Sequence, residues 1–272
     1  MPASLPQIAS RSNPRVKQLR AAFQGRARLS GGLVAIEGET LIQEALRSGL
    51  VFKTIFLSEG RAIPQWLPRT LELVELPAEV FASAVDTRSP QGIAALLVPP
   101  VWTLDDAIPA TVAAPLLLIA AGLQDPGNLG TLIRSAEAFG ACAVLTTPNT
   151  VDCWNQKALR ASAGSVFRMP VVEVEPADLL AFKSRGVRIL AAVAPHAADP
   201  IAASADFIGA TALMIGNEGA GLSDDWLDLA DCRISIPTPG LVESLNAAVA
   251  GSLLLYEASR QRTAASNSNP QA

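Results

Sequence analysis

Asn128, Arg134, Glu218, Ser244 and Asn246 are the side chains whose types and surroundings in this sequence could carry chemistry. They fall in three short blocks: Asn128-Leu129-Gly130-Thr131-Leu132-Ile133-Arg134, then Gly216-Asn217-Glu218-Gly219-Ala220-Gly221-Leu222, then Ile236-Pro237-Thr238-Pro239-Gly240-Leu241-Val242-Glu243-Ser244-Leu245-Asn246. Two amides, a guanidinium, a carboxylate and a hydroxyl can orient a polar substrate. The glycines beside them let backbone approach a ligand closely. In particular, the loop 216–221 leaves backbone N–H and C=O groups open to a flat polar ligand such as an adenine. Plainer roles exist for each residue. Asn128 could cap a helix, Arg134 could be an exposed helical arginine, and Ser244 and Asn246 could begin the last helix. A simple glycine turn, however, requires no carboxylate at its tightest point, and three caps and a turn do not predict these three patterns together.

The elements that must hold these blocks follow from hydrophobic patterning. In the first hundred residues, strands are predicted over 33–36, 53–57, 71–76 and 92–98 and a helix over 39–48, a small α/β unit. Pro99-Pro100 breaks any regular element, and 101–114 reads as a linker. The second domain, 115–262, alternates with longer runs. Strands are predicted over 116–120, 143–146, 188–193, 212–215 and 233–236, and helices over 129–139, 156–161, 178–183 and 244–259. Nearly continuous apolar strands separated by helices imply a parallel sheet covered on both faces. The Ser-, Asn-, Gln- and Ala-rich segment 263–272 has little to bury and is expected to be a disordered tail. All three blocks follow strand carboxyl ends, where open α/β sheets bind ligands, so one pocket is expected.

Composition narrows the classes. The chain has 272 residues, 50% of them hydrophobic, which suits about two domains of roughly 100 to 200 residues with buried cores. Cys142, Cys153 and Cys232 are odd in number and not spaced as a metal motif, so buried thiols in a reducing cytoplasm are expected, with no metal. The beginning of the chain lacks an apolar signal region, and the apolar stretch 112–123 is too short to span a bilayer. Gly122, Gly127 and Gly130 are wrongly spaced for a dinucleotide fingerprint, which removes the main support for a nicotinamide oxidoreductase, and no P-loop is present. His196, the single histidine, has no partner motif and reads as a loop residue; Trp102, Trp154 and Trp226 are too dispersed for a base-stacking platform.

Charge is distributed unevenly. Net charge is −4, yet residues 1–36 hold Arg11, Arg15, Lys17, Arg20, Arg26 and Arg28 with no Asp or Glu, which makes this segment +6 and the remainder −10. A basic arm on an acidic body is compatible with phosphate binding, because the local field governs attraction; a solvated helix face is the bland alternative.

Taken together, the blocks resemble the SpoU (TrmH-type) RNA ribose 2′-O-methyltransferases of the trefoil-knot superfamily. Lys157-Ala158-Leu159-Arg160-Ala161-Ser162-Ala163-Gly164 is similar to the same family, while Asn13-Pro14-Arg15-Val16-Lys17, Glu37-Gly38 and Gln91-Gly92-Ile93-Ala94-Ala95 resemble its small L30e-like substrate-binding domain. The resemblance implies methyl transfer from S-adenosyl-L-methionine to a ribose 2′-hydroxyl, a deep knot in the carboxyl-terminal domain and a homodimer. It implies that Gly216, Ile236 and Leu245 hold the cofactor, and that Asn128, Arg134, Glu218, Ser244 and Asn246 form the catalytic or substrate-positioning set. A guanidinium is a poor base in isolation, so Arg134 is expected to orient phosphate and hydroxyl groups. Thr238 departs from the family, in which methionine is more usual after Ile236-Pro237. The L30e-like domain favours ribosomal RNA. Transfer RNA as substrate, or a noncatalytic RNA-binding or ribosome-assembly protein on the same scaffold, is the alternative.

Overall fold

A computed structural model describes residues 5–25, 32–195 and 202–268. The chain divides into two compact units, Met1–Val101 and Trp102–Ala272.

In the first unit, Asn13 accepts a hydrogen bond from the Arg15 N–H and Pro14 takes the first helical position, so the helix α1 (Pro14–Phe23) starts there. Val16, Leu19, Ala22 and Phe23 are its buried side, and its cations occupy the rest. The basic segment is thus partly a packed helix. Four strands follow: β1 (Val34–Glu37), β2 (Val51–Ser58), β3 (Leu73–Leu76) and β4 (Ile93–Val98), with α2 (Glu39–Arg47) after β1 and α3 (Ala78–Ala84) after β3. The sheet order is β1-β4-β2-β3, with β4 antiparallel to both neighbours and β2 parallel to β3. Patterning missed α3, a seven-residue helix that begins directly after Pro77.

The second unit opens with α4 (Leu104–Ala107), held by a capping box between Thr103 and Asp106. Ala107 and Ile108 are buried in this unit's core, with Trp102 and Leu104 packed against them. The segment expected to be a linker is therefore an integral part of the second unit, because its apolar residues find a sheet to cover.

Six strands form one parallel sheet: β5 (Leu116–Ala120), β6 (Ala143–Thr146), β7 (Val171–Glu173), β8 (Arg188–Val193), β9 (Thr211–Ile215) and β10 (Cys232–Ser235). Their order is β10-β8-β9-β5-β6-β7. The central β5 and β9 are buried at every position, as expected of strands covered on both faces. The covering helices are α5 (Pro126–Ala138), α6 (Gln156–Ser162), α7 (Pro176–Ser184), α8 (Asp224–Leu227) and α9 (Ala247–Ser268).

Two expectations are corrected here. Helix α9 runs to Ser268, past the predicted start of the tail; residues 269–272 lie outside the described residues. Tertiary hydrogen bonds anchor the helix just before the polar run: the Arg262 guanidinium donates to the carbonyls of Phe207, Ala114, Pro115 and Gly209, and the Gln261 amide donates to the Ala205 carbonyl, while the hydroxyls of Thr263, Ser266 and Ser268 bond carbonyls one turn back along the helix. The three cysteines are half-buried rather than fully buried. Cys142 and Cys153 stand in connections outside the strands and helices, and Cys232 begins the edge strand β10, positions that the core does not enclose. Among the described residues, no helix is long and apolar enough to cross a membrane, and no group of three or more His, Cys, Asp or Glu residues could hold a metal.

Candidate active site

Because β5, β8, β9 and β10 run parallel in one sheet, their carboxyl ends open on one edge. A cavity of about 310 Å³ lies at that edge. Its apolar wall includes Ala192, Val193 and Ala194 from the end of β8, Ile215 from β9, Ile234 from β10, and Ile236 and Leu245 beyond it. Its polar side is the loop from Gly216 to Gly221 together with Thr238 and Ser244. Apolar walls with a few placed polar groups are the usual make-up of a small-molecule site.

The loop after β9 closes on itself. Asn217 and Gly221 exchange backbone hydrogen bonds, each 3.0 Å, and Gly221 supplies the left-handed turn at φ +70°. The Asn217 Oδ1 accepts from the N–H groups of Gly219 (2.9 Å) and Ala220 (3.0 Å), while its Nδ2 donates to the Gly122 carbonyl at 2.9 Å, tying this loop to the one after β5. A Cβ at Gly216 would lie 2.5 Å from the Gly221 carbonyl carbon and 2.6 Å from the Leu222 nitrogen. The glycine is needed so that the loop can fold back, a different reason from the ligand approach inferred from sequence.

A hydrogen-bond chain joins the three blocks. The Asn128 Nδ2 donates to the Glu218 Oε1 at 2.9 Å, and the Asn246 Nδ2 donates to the Asn128 Oδ1 at 3.1 Å. Asn246 in turn caps α9, its Oδ1 accepting from the N–H groups of Ala248 (2.9 Å) and Val249 (3.2 Å). Both amides are thereby oriented, their oxygens turned to partners within the protein. Glu218 also accepts from the backbone N–H groups of Gln124 (3.2 Å) and Asp125 (3.3 Å). Burial pushes its carboxyl upward, but the hydrogen bonds from Asn128 and from backbone N–H groups outweigh this and hold it below the ordinary glutamate value. Glu218 is therefore an anion fixed on the loop 124–128 rather than a poised acid.

The structure thus brings Asn128, Glu218 and Asn246 into one network, and places Gly216, Glu218, Ile236, Ser244 and Leu245 on the cavity. Arg134 does not line it and is exposed on α5. Ser244 and Asn246 precede α9, which begins at Ala247. His196 lies outside the described residues, as do Arg26 and Arg28. Of the other cations, Arg11 pairs with Glu79 (3.3 Å) and Arg15 with Glu72 (2.7 Å), Arg20 donates to the Ser83 carbonyl and hydroxyl, and Lys17 is exposed.

Sequence reasoning missed Asn217, whose chemistry as a residue bonding its own backbone two and three positions on is a legible turn signal. It also missed the Ala192–Ala194 wall, which carries no polar mark.

The chain matches the model of the SpoU rRNA Methylase family over residues 115–256 and that of the MRM3-like substrate binding domain over residues 13–95. It is 36% identical to the 23S rRNA (guanosine(2553)-2′-O)-methyltransferase RlmP of Bacillus subtilis (strain 168), across 92% of this chain and 98% of that protein. Among solved structures, the SpoU methyltransferase AviRb of Streptomyces viridochromogenes in complex with the cofactor AdoMet superposes with a TM-score of 0.82 at 30% identity, covering 92% of this chain and 98% of that one. The AdoMet-bound rRNA methyltransferase of Sinorhizobium meliloti gives a TM-score of 0.82 at 28% identity, covering 94% and 98%.

Proposed function

The chain belongs to the SpoU rRNA methylase family, and from that membership we propose that it transfers the methyl group of S-adenosylmethionine to a ribose 2′-hydroxyl of ribosomal RNA. The fold is that family's, α/β with the deep trefoil-knot parallel-sheet domain following a small substrate-binding domain. The observation that carries the reading is the convergence of three separate blocks, through Glu218, Asn128 and Asn246, beside an apolar cavity at the strand carboxyl ends.

The residues present fit the cofactor. Val193, Ile215, Ile234, Ile236 and Leu245 offer apolar faces to a flat ring, and the backbone of Asn217 to Gly221 offers hydrogen bonds to its polar edge. When bound, S-adenosylmethionine supplies an electrophilic methyl group, so no metal is required. The protein's part is positioning, which can account for several kcal/mol of a displacement barrier. With their oxygens engaged and one N–H of each spent within the chain of bonds, Asn128 and Asn246 can offer their second N–H, suited to holding an acceptor oxygen of ribose or phosphate. Ser244 lines the adjoining cavity and can orient the hydroxyl.

Among the described residues, no lysine or arginine lines the cavity, although a phosphate-bearing substrate calls for one. Arg134 is the cation that we assign to this task, acting in a homodimer. Val249, Leu253 and Tyr256 leave an apolar stripe exposed on α9, and Tyr256 meets Phe139 just beyond α5 edge to face at 5.7 Å. Pairing of two copies across this surface would cover the stripe and allow an Arg134 to serve a cavity that the described residues of the other copy leave without a cation. The first unit, through α1 and its cations, grips RNA phosphates. Its ion pairs to Glu72 and Glu79 are solvent-exposed, hence worth at most about 1 kcal/mol, and exchange readily for phosphate. The free thiols of Cys142 and Cys232 suit the cytoplasm, where we place the protein.

Mapping 2′-O-methyl sites in ribosomal and transfer RNA from cells with and without the gene tests the reading. One ribosomal position should lose its mark. Loss at a transfer RNA position instead, or no change in either, overturns the substrate or the activity. Calorimetry with S-adenosylmethionine separates the enzyme from a noncatalytic scaffold, which would give no binding heat.

A further inference from the structure

Outside the relay stands a second charged group. The Lys157 ammonium, at the start of α6, donates to both oxygens of Asp125, at 2.9 and 2.8 Å. Asp125 is the cap of α5: its Oδ1 accepts from the N–H of Gly127 and, at 3.2 Å, from that of Asn128. The Asp125 N–H itself donates to Glu218. One residue therefore touches the cation of α6, the backbone of Asn128 and the carboxylate that holds the Asn128 side chain.

Two glycines make this contact possible. A Cβ at Gly130 would collide with the Ala158 carbonyl oxygen and stand 2.8 Å from the Ala161 Cβ, so α5 and α6 cross in close contact. A Cβ at Gly127 would stand 2.9 Å from the Lys157 Cε and 2.8 Å from the Asp125 Oδ1, in the space that the lysine stem uses. The tight crossing brings Lys157 beneath the first turn of α5. An exposed ion pair adds little to fold stability, and a side chain half open to solvent is an inefficient way to join two helices that already pack through Ala158 and Ala161. Its location, one hydrogen bond from Asn128, is what distinguishes it.

We propose that Asp125 and Lys157 are positioning residues for methyl transfer, a pair that fixes the first turn of α5 and thereby aims the Asn128 amide. The proposal rests on the methyltransferase reading above. Lys157 holds Asp125 in one rotamer; Asp125 holds the Asn128 backbone; Glu218 and Asn246 then meet the Asn128 side chain in the orientation already described.

The test is a double-mutant cycle with Lys157→Met and Asp125→Asn, using S-adenosylmethionine and a large-subunit ribosomal RNA transcript. Asparagine caps helices as well as aspartate, so Asp125→Asn removes the ion pair with the helix start retained. Misaiming of a reacting group costs on the order of tenfold to a hundredfold in rate, so each single variant should lose at least about tenfold in kcat, with the KM for RNA and the Kd for S-adenosylmethionine within about twofold of wild type. The double variant should be no slower than the slower single, and Lys157→Arg should restore most of the rate. Independent, multiplying losses overturn the pair, as does a raised KM for RNA at unchanged kcat, which would make Lys157 a phosphate contact instead. Proton exchange of the Asn128 side-chain amide, followed by NMR, needs no activity: it should accelerate in Lys157→Met, and an unchanged rate overturns the proposal. A wild-type protein that binds S-adenosylmethionine but methylates no RNA defeats the function reading, and the amide exchange then judges the pair by itself.

Discussion

At the scale of single residues, Asn128 is the hinge of the site, since its side chain bonds both Glu218 and Asn246. Removing its amide takes one of two donors from the Glu218 Oε1, which keeps the Asp125 N–H, and deprives the Asn246 Nδ2 of its acceptor. Asn128→Ala is expected to cut turnover by on the order of a hundredfold while the affinity for S-adenosylmethionine stays near wild type, because the apolar cofactor wall is untouched. Single-turnover kinetics beside calorimetry read both quantities, and an unimpaired rate would remove the relay from the reaction. The pH dependence follows from Glu218. Its carboxyl is held below the ordinary value, so the ordering that it provides is complete above the usual carboxylate range and is lost only as pH falls through the depressed value. The rate should therefore show no acid limb from this group between about pH 5 and 8, and Glu218→Gln should lower the rate across that whole range. A limb near neutrality that disappears in Glu218→Gln would make it a titrating acid or base instead.

Among the elements, the loop after β9 shows how a local rule and a tertiary reason can converge on one residue. The sequence marks Gly216 as a glycine that ligand approach demands, whereas the structure shows the Gly221 and Leu222 backbone folding against it. Either reason forbids a branched side chain. Gly216→Val should abolish S-adenosylmethionine binding by opening the loop, with the circular dichroism of the folded protein retained and the binding heat lost. The structure adds that Asn217→Ala should act in the same direction more weakly, since it removes the link to Gly122 and the two turn bonds but creates no clash. Undiminished affinity in Gly216→Val would move the cofactor elsewhere.

On the scale of the whole molecule, two surfaces carry the expectations. If the cations Arg11, Arg15, Lys17, Arg20, Arg26 and Arg28 meet RNA phosphates, replacing them with glutamine should weaken RNA binding and flatten its salt dependence by roughly 0.7 in logarithmic slope per lost contact on single strands. Fluorescence anisotropy across a salt series reads the slope, and identical slopes would reduce α1 to a solvated helix. Arg20 is already engaged with Ser83 within its own unit, so it should contribute least. The other surface is the stripe on α9. If two copies pair across it as proposed, Leu253→Lys should convert the dimer to monomer in sedimentation velocity and lower turnover along with it, because the cavity would lose access to an Arg134; a wild-type monomer would overturn the pairing.

By itself the sequence determined every strand but β7 and most of the longer helices, because continuous apolar runs such as Leu116–Ala120 and Thr211–Ile215 can only be buried, whereas the three residues Val171–Glu173 make too short a run to read. It also singled out the polar set, since glycine loops with an amide, a carboxylate and a hydroxyl at strand ends have no purpose in a plain fold. Where patterning erred, the cause was tertiary. Residues 104–107 pack into the core of the second unit and Gln261 and Arg262 anchor α9 through contacts that only the folded chain supplies, among them the carbonyls that gather around Arg262, and the helix runs on from that anchor to Ser268. Periodicity reports which side of an element is apolar, not which remote group will face it. For the same reason the chain's threading, which general rules would forbid, entered the sequence reading only by resemblance. Residues 90 and 118 positions apart met in the Glu218–Asn128–Asn246 chain because parallel strands bring their carboxyl ends to one edge, and that decision belongs to the sheet.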